Sequence, residues 1–178
     1  SPNYTEGSLN LIEEEVVEKV GLRSSLCYEV TDRNGADEVE QGIRENLNWL
    51  SAVSNRDDDL TAGQFGLHAS FTLSSSTMEE VASYLEDLDT GIHIHLAEGR
   101  EDQEDSLEQY GKRVVTRLDN YGLLEEKSIL AHGIHLSEPE KNILAERNPY
   151  LIYNPRSNMN NGAGVADVAG LLRRGLSV

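Results

Sequence analysis

The chain has 178 residues, of which 38% are hydrophobic and 26% are charged, and its formal net charge at pH 7 is -17. This length is enough to bury one hydrophobic core, so we expect a single domain. The acidic balance argues against nucleic acid and anionic membranes as partners, and the single cysteine, Cys27, excludes an intramolecular disulfide and a thiolate-rich metal site.

The sequence carries no pattern that would place it in a membrane. No apolar run approaches the ~20 residues that a spanning helix needs. The first seven residues, SPNYTEG, lack the charged and then apolar order of a signal peptide. We therefore expect a cytoplasmic protein without a membrane partner.

Several segments have the apolar spacing of amphipathic helices. Gly21 is a typical C-terminal stop for the first, and capping-box sequences at 77–80 and 137–140 open two others. The residues predicted to face the core are, helix by helix, Leu9, Ile12, Val16 and Val20; Val39, Ile43, Leu47, Leu50 and Val53; Val81, Leu85 and Leu88; Leu107, Tyr110, Val114 and Leu118; Ile143 and Leu144; and Val168, Leu171 and Leu172.

Short apolar runs between these helices predict β-strands at 22–30, 64–69, 91–98, 128–133 and 150–153, with the start of one more at 175–178. Strands that alternate with helices pair in parallel, so we predict an α/β sheet or barrel. Polar residues stand where successive strands end: Asp32, His68, His95 with Glu98, His132 and Asn154. In a (β/α) barrel these ends share the face on which active sites are built, which favours a functional role for His68, His95 and His132.

The strand at 91–98, GIHIHLAE, puts its apolar side chains on one face and His93 and His95 on the other. Two imidazoles on a buried strand need partners, either hydrogen bonds or a metal ion. Neutral imidazole binds divalent transition metals and a carboxylate can carry protons, so His95 and Glu98 are candidates for these two tasks. For His93 and His135, a hydrogen-bonded structural role is the alternative.

These segments resemble the amidohydrolase superfamily, in particular its metal-dependent aminohydrolases and chlorohydrolases that act on purine-like and triazine-like rings. The resemblance rests on HLAE at 95–98, LAHGIHLS at 130–137 and the loop segment NPRSNM at 154–159. The chain is most similar to the SsnA-type aminohydrolases, which share CYEVTDR, GLHASFTLS and NPRSNMNNG. The resemblance implies a partial (β/α)8 TIM barrel, roughly from the end of strand 2 through helix 7, with residues 1–178 as the central part of one barrel domain.

The resemblance also implies roles for the matching residues. His95 matches the metal ligand of the fifth barrel strand, and Glu98 matches the acid/base that takes a proton from the attacking water and passes it to a ring nitrogen. His132 matches the histidine that helps to activate or orient the water, and His68 matches a substrate-contacting histidine. Further residues at positions that line the family's substrate pocket are Asn154, Arg156, Ser157 and Asn158.

The implied cofactor is one divalent metal ion, zinc in the first place, with iron or manganese as alternatives. The implied reaction is the hydrolytic removal of an exocyclic amine from a small purine-like or other heterocyclic substrate. Removal of chloride or of an amide nitrogen on the same scaffold is the alternative. An acidic calcium- or partner-binding protein is a further alternative, suggested by Asp57-Asp58-Asp59 and by 101–108, although neither has the ligand order of a calcium loop.

The chain departs from the family pattern at the remaining metal ligands. The family carries a His-x-His pair on the first strand and an aspartate at the end of the eighth, and neither matches a segment of this chain. His93 and His95 have the spacing but match the fifth strand, and Asp167 precedes the last helix. We therefore expect an interior piece of a larger enzyme. In isolation it should bind metal weakly or not at all, be catalytically inactive, and pair through its open strand edges as a homo-oligomer.

Overall fold

The computed structural model of the protein describes residues 6–56 and 60–178, so the acidic run Asp57-Asp58-Asp59 lies outside the described residues. The strands are β1 Ser24–Leu26, β2 Thr61–Gly63, β3 Phe65–Ala69, β4 Ile92–Leu96, β5 Ile129–His132 and β6 Tyr150–Ile152. The helices are α1 Ser8–Ile12, continued through a π-helical turn at Glu13–Val17 into α2 Glu18–Val20; α3 Ala36–Ser54; α4 Ser75–Leu85; α5 Arg100–Tyr110; α6 Val114–Asn120; α7 Glu138–Arg147; α8 Pro155–Asn160; and α9 Val168–Arg173.

The strands form a parallel wall. β3, β4, β5 and β6 make a four-stranded sheet in chain order, and β1 pairs with β2 in parallel. A bridge between Val30 and Leu67 ties the β1 segment to β3, and a bridge between Tyr150 and Ser177 places the last residues beside β6. Parallel strands that are neighbours in chain order are the arrangement of a (β/α) barrel wall.

Helices cover one face of this wall. The apolar residues of β4 are fully buried and share one hydrophobic cluster with Met78 of α4 and Leu118 of α6. The opposite face carries His93 and His95, which are half-buried, and Tyr150, which is 52% exposed. The wall therefore has one face buried under helices and one open face. The homo-oligomer expected from the open strand edges stays a prediction. Within the described ranges, no helix is both long and apolar enough to cross a membrane.

The first helical segment buries a different stripe from the predicted one. Leu9, Glu13 and Val17 are its buried residues. The Glu13 carboxylate, only 2% exposed, is paired with the Arg56 guanidinium, which turns the Glu13 side of the helix inward. Hydrophobic spacing could not show this, because it treats every glutamate as a surface residue. In this segment the predicted core positions Ile12, Val16 and Val20 are exposed instead, as is Leu172 in α9.

Helix α4 begins before the capping box predicted at 77–80. Its first residue is Ser75, and the Ser74 hydroxyl caps it by accepting the Thr77 N–H at 3.1 Å. Asp32, at the end of the β1 segment, accepts hydrogen bonds from the Ser74 N–H at 2.9 Å and the Thr77 hydroxyl at 2.8 Å. This long-range anchor fixes the helix start. The second capping box, at 137–140, is confirmed.

Two further segments differ from the predicted elements. The helix expected to run from Leu107 to Leu118 is two helices, because Gly111 adopts a φ of 64° and ends α5. As a result, Leu107 is 45% exposed. The segment at 154–159, interpreted as a loop, contains helix α8, which opens with Pro155, a residue favoured at the first helical position.

Candidate active site

Histidines meet where β3, β4 and β5 end. The ring centroids of His68 and His95 are 5.5 Å apart, and those of His95 and His132 are 5.7 Å apart. The parallel register pairs Leu96 with His132, which brings the two strand ends to one edge. The placement of these histidines at strand ends, noticed in the sequence, therefore corresponds to a cluster in space.

The imidazoles of His68 and His95 lie beside the exposed carboxylate of Glu29, which follows β1. Glu29 Oε1 is 3.3 Å from His95 Nδ1 and 3.9 Å from His68 Nε2. One ligand atom from each of the three residues lies within 4.8 Å of the other two. Two imidazoles and a carboxylate suit a divalent transition metal. The described residues therefore fit part of a metal site.

Hydrogen bonds fix the tautomers of these two rings. His95 Nδ1 lies 2.7 Å from the His68 carbonyl oxygen, which can only accept, so Nδ1 carries the proton and Nε2 keeps its lone pair. His68 Nδ1 lies 2.8 Å from the Thr72 hydroxyl. That hydroxyl donates its own proton to the Ala69 carbonyl at 2.9 Å, so it accepts from His68, and His68 Nδ1 carries the proton. Burial lowers the pKa of His68, although the Glu29 carboxylate opposes the shift. His68 is thus neutral at neutral pH.

Glu98 and His132 face each other across the ends of β4 and β5. Glu98 Oε2 lies 3.5 Å from His132 Nε2, and Glu98 Oε1 accepts a hydrogen bond from Asn161 at 3.1 Å. His132 Nδ1 donates to the carboxamide oxygen of Asn158 at 2.7 Å, which leaves Nε2 as an acceptor. Two acceptors that face each other need a proton or a donor molecule between them. This arrangement suits proton transfer.

A cavity of about 480 Å³ opens onto the same strand ends. Its volume lies within the range of roughly 300–1,000 Å³ that is usual for small-molecule sites. Nine of the residues that line it carry side chains capable of polar or stacking contacts: His68, Phe71, His95, Glu98, Arg100, Glu101, Asp102, His135 and Asn161. The cavity therefore combines an aromatic wall with the candidate acid/base.

The predicted substrate-contacting residues at 154–158 lie elsewhere. Asn158 is 1% exposed and is bonded to the far side of the His132 ring. Arg156 is exposed, and Asn154 and Ser157 are half-buried. None of the four is among the described residues that line the cavity. Their contact with substrate stays a prediction, and for Asn158 the geometry favours positioning of His132 instead.

His93 and His135 each contact one polar partner, in line with the hydrogen-bonded structural role given above as their alternative. His93 Nδ1 lies 3.6 Å from Cys27 Sγ, and His135 Nε2 donates to the Ala163 carbonyl at 3.0 Å. Burial lowers the pKa of His93, and burial raises the pKa of the Cys27 thiol to about 12. The Cys27–His93 pair is therefore neutral. His135 also contributes to the cavity lining.

Sequence reasoning missed Glu29, Phe71 and Asn161. Glu29 directly precedes Val30, which pairs with β3, so a carboxylate at a strand end was the available signal. Phe71 follows the end of β3 in a short 3₁₀ turn, where it is 42% exposed. Asn161 lies just beyond α8 and reaches Glu98 across the site, a contact that no local pattern shows.

Comparisons with known proteins agree with this geometry. A sequence profile of the amidohydrolase family matches residues 3–178. The chain is 31% identical over 164 residues to a 5-methylthioadenosine/S-adenosylhomocysteine deaminase of Thermoanaerobacter pseudethanolicus, an alignment that covers 92% of this chain and 38% of that protein. An adenosine deaminase from Xanthomonas campestris with bound zinc superposes with a TM-score of 0.82 and 27% identity, over 91% of this chain and 37% of that one.

A guanine deaminase from C. acetobutylicum with bound guanine superposes with a TM-score of 0.84 and 19% identity. This likeness covers 98% of this chain and 43% of the guanine deaminase, and at such an identity it concerns the fold. The chain thus spans about two fifths of the length of the proteins it matches, with shares of 38%, 37% and 43%. The predicted α/β fold, a partial TIM barrel, is confirmed.

Proposed function

Because the chain belongs to the amidohydrolase family, we propose that it is the central part of one catalytic barrel domain in a metal-dependent aminohydrolase. The observation that supports this most is the meeting of His95, Glu98 and His132 at adjoining strand ends beside the cavity. The proposed reaction is the hydrolytic removal of an exocyclic amine from a purine-like or other small heterocyclic substrate. The relative with 31% identity, named as a deaminase, supports this reaction class.

His95 would hold the metal ion through Nε2, because Nδ1 donates to the His68 carbonyl. His68 and Glu29 belong to the same cluster of possible ligands, although Glu29 Oε1 lies beside the protonated Nδ1, at 3.3 Å, and would have to turn to reach an ion on Nε2. The hydrogen bond from His95 Nδ1 to a backbone carbonyl is the kind of outer contact that orients metal-binding histidines. A divalent ion bound there would lower the pKa of a water towards neutrality. We propose zinc, with iron or manganese as alternatives. Further ligands would come from other parts of the protein, so the isolated chain would bind metal weakly.

Glu98 would carry the proton through the reaction. Its carboxylate would take a proton from the attacking water and pass it to a ring nitrogen. The remaining proton of the added hydroxyl group would then move to the exocyclic amine, which leaves as ammonia as the carbonyl forms. His132 Nε2, at 3.5 Å from Glu98, would accept a hydrogen bond from the water and orient it. Phe71, at the cavity wall, would stack on the heterocyclic ring.

Metal content tests this proposal. Elemental analysis of the full-length protein that contains this chain should find about one equivalent of metal, and His95→Ala should lose most of it. His93→Ala is the matched control, because it removes an imidazole from the same strand face, and it should keep the metal. A full-length protein without metal, or equal metal in both variants, would contradict the assignment. Ammonia and chloride release from a panel of purines and chlorinated triazines then separates aminohydrolase from chlorohydrolase.

Asn158→Ala should lower kcat about 10- to 100-fold with little change in KM or metal content, as expected for a residue that orients a catalytic histidine. The reason is the 2.7 Å hydrogen bond that fixes the His132 tautomer. Asn160→Ala, on the exposed side of α8, is the control and should leave kcat unchanged. Steady-state kinetics on the full-length protein check this. A raised KM at normal kcat would instead give Asn158 the substrate-binding role predicted from the sequence.

A further inference from the structure

The turn between β4 and α5 has an uncommon backbone conformation. Ala97, which directly precedes Glu98, is fully buried and has a φ of 48°. This left-handed region is unfavourable for residues that have a Cβ, so surrounding contacts must hold it. The direction in which Glu98 leaves the strand depends on this residue.

Asp102, in the first turn of α5, supplies one such contact. Its Oδ2 accepts the Ala97 N–H at 2.9 Å, and the residue is 3% exposed. Its other oxygen, Oδ1, is buried and makes no hydrogen bond of good geometry with the described residues. Burial raises the pKa of Asp102 to about 6. Burying a carboxylate that has one unpaired oxygen is energetically unfavourable, and such groups are more typical of functional sites than of an ordinary core.

Ala97 also ties the end of β4 to the loop after β5. Its carbonyl accepts hydrogen bonds from the backbone N–H groups of Ile134 and His135, at 3.2 and 3.0 Å. His132, just before that loop, is itself left-handed, with a φ of 76°. The Ala97 backbone is thus bonded to α5 through its N–H and to the loop after His132 through its carbonyl. Its conformation therefore helps to set the distance between Glu98 and His132.

We infer that Asp102 is a positioning residue, which fixes Glu98 opposite His132 by holding the Ala97 N–H. This inference rests on the proposed function. Asp102 borders the cavity, but it is buried and its carboxylate accepts the Ala97 N–H, so it would act on Glu98 through the backbone of Ala97. Without that acceptor, Glu98 would lose its fixed direction, while His95 on the strand itself would keep its place. The rate of the chemical step should therefore fall without loss of metal.

Substitutions at Asp102 in the full-length protein distinguish the role of its hydrogen-bond acceptor oxygen from the role of its negative charge. Asp102→Asn keeps an oxygen for the Ala97 N–H and should retain kcat within about threefold, whereas Asp102→Ala should lower kcat about 10- to 100-fold with KM and metal content nearly unchanged. If the alanine variant does not fold, Asp102→Leu fills the same volume without an acceptor and should show the same loss. Glu104→Ala, an exposed position on α5, is the matched control and should leave kcat unchanged.

Hydrogen exchange supplies a readout that does not depend on activity. The Ala97 amide, followed in peptides that cover 96–101, should be protected in the wild type and in Asp102→Asn, and should exchange at least about tenfold faster in the alanine or leucine variant. If the full-length protein hydrolysed no substrate, the proposed function would be wrong. The exchange rates would still test whether Asp102 holds the Ala97 N–H. Equal kcat in the asparagine and alanine variants, or an Ala97 amide that stays protected without the carboxylate, would overturn the inference.

Discussion

Replacing Glu98 by Gln in the full-length protein should lower kcat by about 10²- to 10⁴-fold, the usual contribution of a general acid/base. The carboxamide has nearly the shape of the carboxylate and can still contact Asn161, which bonds Glu98 Oε1 at 3.1 Å. It cannot take a proton from water and return it to the substrate. Because Glu98 lies beyond the strand that carries His95, metal content should not change. Steady-state kinetics and elemental analysis on the same preparation measure both quantities.

Glu101→Gln is the matched control for this experiment. Glu101 lines the same cavity, three positions further along the chain, but it is exposed, and within the described residues no hydrogen bond or ion pair joins it to His132. We expect its kcat to stay within about twofold of the wild type, as for most surface substitutions. If Glu98→Gln were as active as Glu101→Gln, the proton would travel by another group and the acid/base assignment would be wrong.

Replacing Arg117 by Ala should reduce the free energy of unfolding by about 2–5 kcal/mol, the usual cost of truncating a large buried side chain whose removal also leaves buried acceptors unpaired. Arg117 is 1% exposed and donates to the Ser70 carbonyl at 2.6 Å, the Ser70 hydroxyl at 2.9 Å and the Leu73 carbonyl at 2.7 Å. Its guanidinium carbon lies 3.6 Å from the centroid of the Tyr110 ring. The substitution would leave buried carbonyls unpaired and open a cavity beside the turn that follows His68.

Denaturant unfolding of the full-length protein measures this loss, with Arg147→Ala as control. Arg147 pairs with Asp119 at 2.6 Å on the surface, and its side chain is 53% exposed, so its removal should cost far less stability than the removal of Arg117. Arg117→Lys should recover only part of the stability, because a single ammonium cannot serve two carbonyls in the fixed fork of a guanidinium. Equal losses for Arg117→Ala and Arg147→Ala would show that the buried network does not stabilise the fold.

The parts of the fold that follow from repeating local patterns could be predicted from the sequence. Alternating apolar segments gave the parallel wall, since each strand buries one face under a helix. The strand-end positions of His95, Glu98 and His132 gave the cluster, because parallel strands deliver their last side chains to one edge. These inferences needed only the period of each element and the order of elements along the chain.

The remaining features depend on contacts between distant residues. Glu13 is buried because Arg56 pairs with it, and α4 starts early because Asp32, from another segment, holds the capping residue Ser74. In the same way, Asn158 is buried because its carboxamide oxygen accepts a hydrogen bond from His132 Nδ1, on the side of the ring away from Glu98. Each is a polar side chain whose burial depends on one partner far along the chain, and hydrophobic spacing carries no information about such partners.

The hydrogen bond from His95 to the His68 carbonyl has a consequence for protein engineering. The acceptor is a main-chain oxygen, so any amino acid at position 68 presents it to the His95 ring. The side chain at that position lines the cavity. A library varied at position 68 could therefore reshape the substrate-facing wall while the orientation of the neighbouring imidazole is preserved by the backbone alone.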